Sequence, residues 1–203
     1  DYRYNKDLII GLMGQIDWFD EKSTGLGSEG EGQGWMLGPY FVSRLTDALV
    51  LDLSASWGQS DNKINPVGAY TDSYDTERWM VEGNLTGSFD HGKWHVAPAV
   101  GLVYFEEEQQ AYTDSNGFRI GEQTVSLGSL NFGPTFHYTI EGPNGQLIRP
   151  LFGVKGIWDF NAPDITDTNG VAIGTEGLRG QVKVGLNIHT RDGVTFQGAY
   201  TYD

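Results

Sequence analysis

The chain contains no cysteine and few of the other residues on which chemistry often depends. Its 203 residues include 4 histidines, and 13 lysines and arginines face 27 aspartates and glutamates, giving a formal net charge of −14. Without cysteine there is no disulfide framework, no thiolate catalysis and no zinc site built on thiolates. Because an acidic chain repels nucleic-acid phosphates, we expect no nucleic-acid partner.

Long hydrophobic runs are missing as well. No stretch approaches the roughly 18 to 20 apolar residues that a membrane helix needs. Hydrophobic residues make up 38% of the chain, which is low for a soluble domain, whereas aromatic residues reach 13% and there are 29 glycines. Asp1–Tyr4 shows no basic and then apolar leader, so we expect any signal sequence to have been removed or to lie outside this sequence.

Apolar residues recur at every second position rather than at helical spacing. In Leu178–His189 the even positions are apolar or glycine and the odd positions are mostly charged or amide side chains. Successive side chains of a strand point to opposite faces, so each such segment predicts a strand with one apolar and one polar face. The nine segments with this pattern are Leu8–Phe19, Trp35–Leu45, Leu49–Trp57, Arg78–Phe89, Trp94–Phe105, Thr124–Tyr138, Ile148–Phe160, Leu178–His189 and Val194–Tyr202.

One strand has an interrupted pattern. Val125 and Leu127 have one parity, whereas Leu130, Phe132 and Phe136 have the other. A β-bulge near Gly128 would reconcile them, and we predict one there.

The connections alternate between short and long. Short turns are expected at 46–47, 90–93, 142–145 and 191–193, and connections of more than ten residues at about 20–34, 59–77, 107–122 and 161–177. Neighbouring strands then run up and down, with all tight turns at one end and all long loops at the other. The sequence therefore predicts an all-β, up-and-down antiparallel sheet.

The tryptophans indicate what the apolar face touches. All six have the apolar parity and lie near strand ends, where indole rings of membrane proteins collect at the interface. We predict membrane-interface positions for Trp18, Trp35, Trp57, Trp79, Trp94 and Trp158.

Two arrangements fit this alternation. A soluble barrel or sandwich would turn its apolar face inward, whereas a transmembrane β-barrel turns it toward lipid and encloses a polar lumen. The second is favoured because the polar face carries regularly placed charges of both signs. The residues predicted to line the lumen are Asp17, Arg44, Asp52, Arg78, Glu82, Arg149, Lys155, Asp159, Arg179 and Lys183.

Phrases along nearly the whole chain resemble, in order, the translocator β-barrel of bacterial autotransporters, in the variety common in alphaproteobacteria. They are Gln15–Glu21 (QIDWFDE), Gly34–Tyr40 (GWMLGPY), Trp57–Asn62 (WGQSDN), Asp75–Trp79 (DTERW), Asn84–Gly87 (NLTG), Tyr112–Ser115 (YTDS), Gln123–Gly128 (QTVSLG), Phe132–Pro134 (FGP) and Gly156–Phe160 (GIWDF).

The resemblance implies a twelve-stranded barrel of type V secretion in the bacterial outer membrane, which anchors a precursor and translocates its passenger to the cell surface. About nine strands are visible, so we expect residues 1–203 to be a translocator domain incomplete at both ends, with Asp1–Tyr4 as the tail of a preceding strand. Implied partners are the lipid bilayer, lipopolysaccharide, the passenger segment of the same precursor and the barrel-assembly machinery.

No catalytic, cofactor-binding or metal-binding set is predicted, and we expect no enzyme. His95, His137 and His189 have polar-facing or ambiguous positions and are expected to bond to neighbours, and the acidic clusters Glu106–Glu108 and Asp72–Glu77 lack EF-hand spacing and are interpreted as solvated loops. Asp167–Gly170 is interpreted as a turn. A porin-like channel and an outer-membrane hydrolase remain as alternatives.

Overall fold

The computed structural model describes residues 1–23, 27–66, 68–161, 165–166, 172–173 and 177–202. Those residues form sixteen strands, and no helix among them is long and apolar enough to cross a membrane. The strands are β1 (Tyr2–Asn5), β2 (Leu8–Ser23), β3 (Ser28–Thr46), β4 (Leu49–Asn65), β5 (Asp72–Gly87), β6 (Phe89–His91), β7 (Trp94–Gln109), β8 (Tyr112–Thr113), β9 (Arg119–Ile120), β10 (Gln123–Tyr138), β11 (Ile140–Glu141), β12 (Leu147–Asn161), β13 (Ile165–Thr166), β14 (Ala172–Ile173), β15 (Gly177–His189) and β16 (Thr195–Tyr202).

Twelve of these strands form one antiparallel up-and-down sheet in chain order, while β8 with β9 and β13 with β14 form two separate two-stranded sheets. The order of the large sheet is β1-β2-β3-β4-β5-β7-β10-β12-β15-β16, with β6 paired to β7 and β11 to β12. The nine predicted strands are its nine long members, and the four-residue β1 pairs with β2. In the part of the chain that is described, β1 and β16 each pair on one side only, so both are edges.

The short connections are tight turns as predicted, whereas the first three long connections are shorter than predicted. Gly92, Gly145 and Gly193 lie in expected tight turns with φ of 63°, 75° and 84°, a left-handed conformation that suits glycine. Three of the predicted long loops are wrong in extent, because β2–β5 and β7 continue into them and β8 pairs with β9 inside the third. Most of 161–177, including the turn predicted at Asp167–Gly170, lies outside the described residues.

Pairing is irregular near Gly128, as predicted, but this irregularity does not bring the apolar residues of β10 onto one face. The pairing of β10 with β12 shifts between Gly128 and Ser129, leaving Phe160 of β12 as the extra residue. The Phe160 ring fills the space that a Cβ at Gly128 would need. Since β10 pairs with β7 without a break, Val125 and Leu127 stay on the polar face, opposite Glu107 and Phe105 of β7.

Burial on the two faces is inverted relative to a soluble protein. The buried apolar side chains among the described residues are Met36 and Leu151. By contrast Ser60, Thr76 and Arg78 are buried, while Trp18 on the opposite face is 72% exposed. Because the concave side of a curved sheet is the less accessible one, the polar face is the concave face.

Candidate functional site

The concave polar face holds all ten residues that the sequence placed there. Residues directly opposite each other on neighbouring strands share a face, so the pairing shows which positions belong to it. Arg78 is opposite Glu107, Glu107 is opposite Val125, and Ser129 is opposite Asp159. On β12 and β15, Arg149, Lys155 and Lys183 share the face of Asp159. The alternating pattern therefore placed these side chains on one face correctly, and whether they line a lumen stays a proposal.

Arg78 is the centre of this face. Its Nη1 donates to Asp17 Oδ2 at 2.8 Å and to Oδ1 at 3.0 Å, and its Nε donates to Glu107 Oε1 at 3.2 Å. Asp17 lies on β2 and Arg78 on β5, so the two backbones are separated by about 14 Å along the sheet at ~4.8 Å per strand. A single arginine spans that separation because the wall is curved toward it.

The absence of a side chain at Gly34 leaves room for the side chain of Arg78. A Cβ at Gly34 of β3 would lie 2.6 Å from Arg78 Nη1. The guanidinium therefore lies flat across β3 and β4 on its way to Asp17. The side chain of Arg78 is only 9% exposed, which makes its two carboxylate partners the compensation for its lost hydration.

Hydroxyl and amide groups extend the network toward the long-loop end. Thr76 Oγ1 donates to Glu107 Oε1 at 2.7 Å, Ser60 and Thr76 share a 2.7 Å hydrogen bond, and Asn62 Nδ2 donates to Ser60 Oγ at 2.7 Å. Glu107 was missed, because its neighbours Glu106 and Glu108 made the segment resemble a solvated loop. The acidic clusters Glu106–Glu108 and Asp72–Glu77 are strand residues of β7 and β5, which corrects that interpretation.

The remaining predicted residues divide into paired and unpaired groups. Arg179 donates to Asp159 at 2.7 Å and 3.1 Å, Asn84 Nδ2 donates to Asp52 at 2.8 Å, and Ser54 Oγ is 3.4 Å from Glu82 Oε2. Within the described residues no ion pair is formed by Arg44, Arg149, Lys155 or Lys183.

The β8–β9 hairpin leans onto the same face at the long-loop end. Asp72 Oδ1 accepts hydrogen bonds from the Ser115 backbone N–H at 2.8 Å and from Ser115 Oγ at 2.6 Å. The rings of Tyr74 and Tyr112 stack with centroids 5.6 Å apart. Burial, and then the charge of Glu107, raises the pKa of Tyr74, and burial followed by the charge of Asp72 raises the pKa of Tyr112.

Histidines near the tight turns also lie on the polar face. His95 Nδ1 is 2.8 Å from Asp90 Oδ1, the rings of His95 and His137 are 5.6 Å apart, and His189 Nδ1 is 2.8 Å from Thr195 Oγ1. Over the described residues no group of three or more histidines and carboxylates is placed to hold a metal ion.

The six tryptophans share the convex apolar face. Three of them form a row across β3, β4 and β5, with centroid distances of 5.4 Å from Trp35 to Trp57 and 6.3 Å from Trp57 to Trp79. Trp94 packs on Tyr138 at the tight-turn end, with centroids 4.8 Å apart. Rings at both ends of an exposed apolar surface, with charges on the other side, define an outer-membrane antiparallel β-barrel protein.

Comparison with known proteins gives the family. The model of the autotransporter beta-domain matches residues 1–201, and the chain belongs to that family. It is 25% identical over 186 residues to the BrkA autotransporter of Bordetella pertussis, which covers 88% of this chain and 18% of that protein. The crystal structure of the β domain of the Bordetella autotransporter BrkA matches with a TM-score of 0.62 at 18% identity, covering 96% of this chain and 76% of the other.

The chain thus belongs to the autotransporter β-domains, a family of the bacterial outer membrane whose members anchor a precursor there and translocate its passenger. The family is non-enzymatic, so the hydrolase alternative has no support. The expected alphaproteobacterial variety gains no support from these matches and stays a prediction. Because the chain spans only 18% of its curated relative's length, the nature of its own passenger belongs with the proposals.

Proposed function

We propose that the concave polar face lines a water-filled lumen that holds the passenger segment of the same precursor. The residues assigned to the lumen are Asp17, Arg44, Asp52, Arg78, Glu82, Arg149, Lys155, Asp159, Arg179 and Lys183. The inverted burial carries this proposal, because Arg78, Thr76 and Ser60 are buried while the large apolar side chains of the other face are exposed. Such a wall is stable when its convex side meets hydrocarbon and its concave side meets water and polar chain.

The six tryptophans then mark the two membrane interfaces. On β7, Trp94 and Tyr104 are ten residues apart on the convex face. At ~3.3 Å per residue and a tilt of about 40°, ten residues span about 25 Å across the membrane, which matches the apolar band of such barrels. Strands β2–β5 continue beyond the row of Trp35, Trp57 and Trp79, so the long-loop end projects outside the cell toward lipopolysaccharide.

Residues 1–203 are proposed to form part of a larger barrel closed by further strands. The support is that β1 and β16 are open edges in the described residues, and that the chain covers 76% of the BrkA β domain. Backbone groups left unpaired in lipid cost several kcal/mol each, so such edges require partners. The barrel-assembly machinery is proposed to insert the closed form.

Single cysteines test this orientation cleanly, because the chain has no cysteine of its own. The precursor would be expressed in a Gram-negative host and treated with a membrane-impermeant maleimide. Lys63→Cys at the projecting end should react on intact cells, Asn144→Cys at a tight turn should react only after permeabilisation, and Leu102→Cys on the convex face should stay protected in both.

Passenger transport is tested on the same cells by protease accessibility of the passenger. Passenger at the surface supports the proposal, and its retention in the periplasm by a correctly inserted barrel contradicts it. Ion conduction by the purified protein in planar bilayers without any surface passenger would favour the porin-like channel instead.

A further inference from the structure

The polar face of β12 and β15 carries cations without counter-charges. Arg149 and Lys155 lie on β12, and Lys183 on β15 lies opposite Gly153 between them. No carboxylate of the described residues pairs with any of the three. We call Arg149, Lys155 and Lys183 the cationic strip.

Two atoms beside the strip are buried and unsatisfied. Arg149 Nε and Asn187 Oδ1, on directly opposite residues, have no hydrogen-bond partner. They border a cavity of about 290 Å³ whose one carboxylate, Asp90, is already bonded to His95. A second cavity of about 230 Å³ lies against Lys155 and Lys183. Buried polar groups are normally paired, and these two atoms need different partners: Arg149 Nε is a donor that a carboxylate can satisfy, and Asn187 Oδ1 is an acceptor that a peptide N–H can satisfy.

The opposite wall has the complementary sign. The polar positions of β2, β4, β5 and β7 include Asp17, Asp52, Glu82 and Glu107. Arg78 compensates two of these carboxylates, and the others bond to neutral groups. A negatively charged segment inside the lumen is therefore repelled by that wall and attracted to the strip.

The length of the cationic strip favours an extended anion over a small one. Arg149 and Lys155 are six residues apart on one strand, which is about 20 Å at ~3.3 Å per residue. One small anion cannot contact both ends, whereas a polypeptide with several carboxylates can. Lipopolysaccharide phosphates are on the wrong side, since they meet the convex face.

We propose that the cationic strip binds the carboxylates of an acidic polypeptide segment that occupies the lumen. This inference rests on the proposed function and adds to it the chemistry of the segment and the wall to which it binds. Each carboxylate that reaches the strip supplies the charge-assisted partner that Arg149, Lys155 or Lys183 lacks.

The first test is charge reversal in the full precursor. Arg149→Glu with Lys183→Glu should lower passenger at the cell surface roughly tenfold, because a wall that attracts the acidic segment then repels it. The matched control, Lys22→Glu with Lys63→Glu, makes the same change in net charge on the convex face of the projecting end and should change surface passenger less than twofold. Arg149→Lys with Lys183→Arg should keep wild-type display.

The second test identifies the segment and remains informative if the reversed barrel fails to fold. A photoreactive p-benzoyl-phenylalanine at Asn187 should crosslink to a peptide rich in aspartate and glutamate, and the same group at Asn84 on the opposite wall should crosslink to it far less. Arg149→Gln with Lys183→Gln should weaken the crosslink from Asn187. The inference is overturned if the crosslinked peptide lacks carboxylates, or if the reversed precursor folds and displays its passenger normally. Wild-type cells with no surface passenger and no crosslink from either wall would instead overturn the proposed function.

Discussion

The two halves of the concave face handle charge differently. Across β2–β7, Arg78 is buried between Asp17 and Glu107 and is continued by Thr76 and Ser60. Across β12 and β15 the cationic strip has no partner among the described residues, and Arg149 Nε is buried without a hydrogen bond. In the first half the central arginine is paired by carboxylates of its own chain, although within the described part of the chain Arg44 forms no ion pair and Gln109 Nε2 is buried without a hydrogen bond. In the second half Arg179 pairs with Asp159, whereas the three cations of the cationic strip have no carboxylate partner in that same part of the chain.

This difference shows that the face on which a charged side chain lies and the partner to which it binds have separate causes. Alternation decides which side of the sheet a charge lies on. Pairing depends on cross-strand register and on the clearance that glycine gives, as Gly34 does for Arg78. Removing a paired charge such as Arg78 should therefore be costly, whereas removing an unpaired charge such as Arg149 should be nearly neutral.

Arg78→Met should have the largest effect. It leaves Asp17 and Glu107, whose side chains are 31% and 29% exposed, without their counter-charge, and at this partial burial the loss should be about 2 to 3 kcal/mol. Urea unfolding of the purified protein in detergent micelles, followed by tryptophan fluorescence, measures the loss.

Arg149→Met is the matched variant in the other half. Since Arg149 lacks a partner, replacing it should change the free energy of unfolding by less than about 0.5 kcal/mol, or stabilise the protein. Equal losses for Arg78→Met and Arg149→Met would remove the distinction between the two halves.

Gly34→Ala should have the next largest effect, about 1 to 2 kcal/mol, because the new methyl group displaces Arg78 Nη1. Gly14→Ala is the control, since its new Cβ would be 3.7 Å from its nearest neighbour on the convex face. In the Arg78→Met background the part of this cost that comes from the guanidinium should vanish, whereas the 3.1 Å contact of the new Cβ with Ser60 Cβ remains. Additive losses would show that Gly34 acts by some other route.

Much of the architecture was predictable from the sequence, and for a simple reason. A period of two fixes the face of each residue independently of its neighbours, so the nine long strands and the faces of residues such as Asp17 and Lys183 followed from local pattern. The irregularity at Gly128 coincides with the predicted bulge, but its extra residue is Phe160 of β12, and the parity change within β10 remains.

What could not be predicted depends on register between strands. Glu107 is a partner of Arg78 only because β5 and β7 pair as they do, and its acidic neighbours concealed it. The extension of β4 and β5 into the predicted loop arises from buried side chains such as Asn62 and Asp72, whose polarity resembles that of a loop until their bonds to Ser60 and Ser115 are known.

Asp72→Ala should have a smaller and local effect. It removes the acceptor of both Ser115 bonds, and a net loss of about 1 to 2 kcal/mol should loosen the β8–β9 hairpin while leaving global unfolding almost unchanged. Amide hydrogen exchange of Tyr112–Thr113 and Arg119–Ile120 should accelerate roughly tenfold. Thr113→Ala, which removes no bond to β5, is the control, and equal acceleration in both variants would contradict the role of Asp72.

The smallest expected effect is a pH dependence at the same hairpin. Burial raises the pKa of Tyr74, so the folded protein holds the phenol proton more tightly than the unfolded chain does. The stabilisation is complete below the ordinary phenol pKa of about 10 and is lost as the pH rises above it. Tyr74→Phe keeps the ring against Tyr112 but cannot ionise, so its melting temperature should fall less between pH 9 and pH 11 than that of the unaltered protein. An identical fall in both would mean that Tyr74 ionises as freely in the folded protein as in the unfolded chain. Burial of its neutral phenol would then contribute no stability.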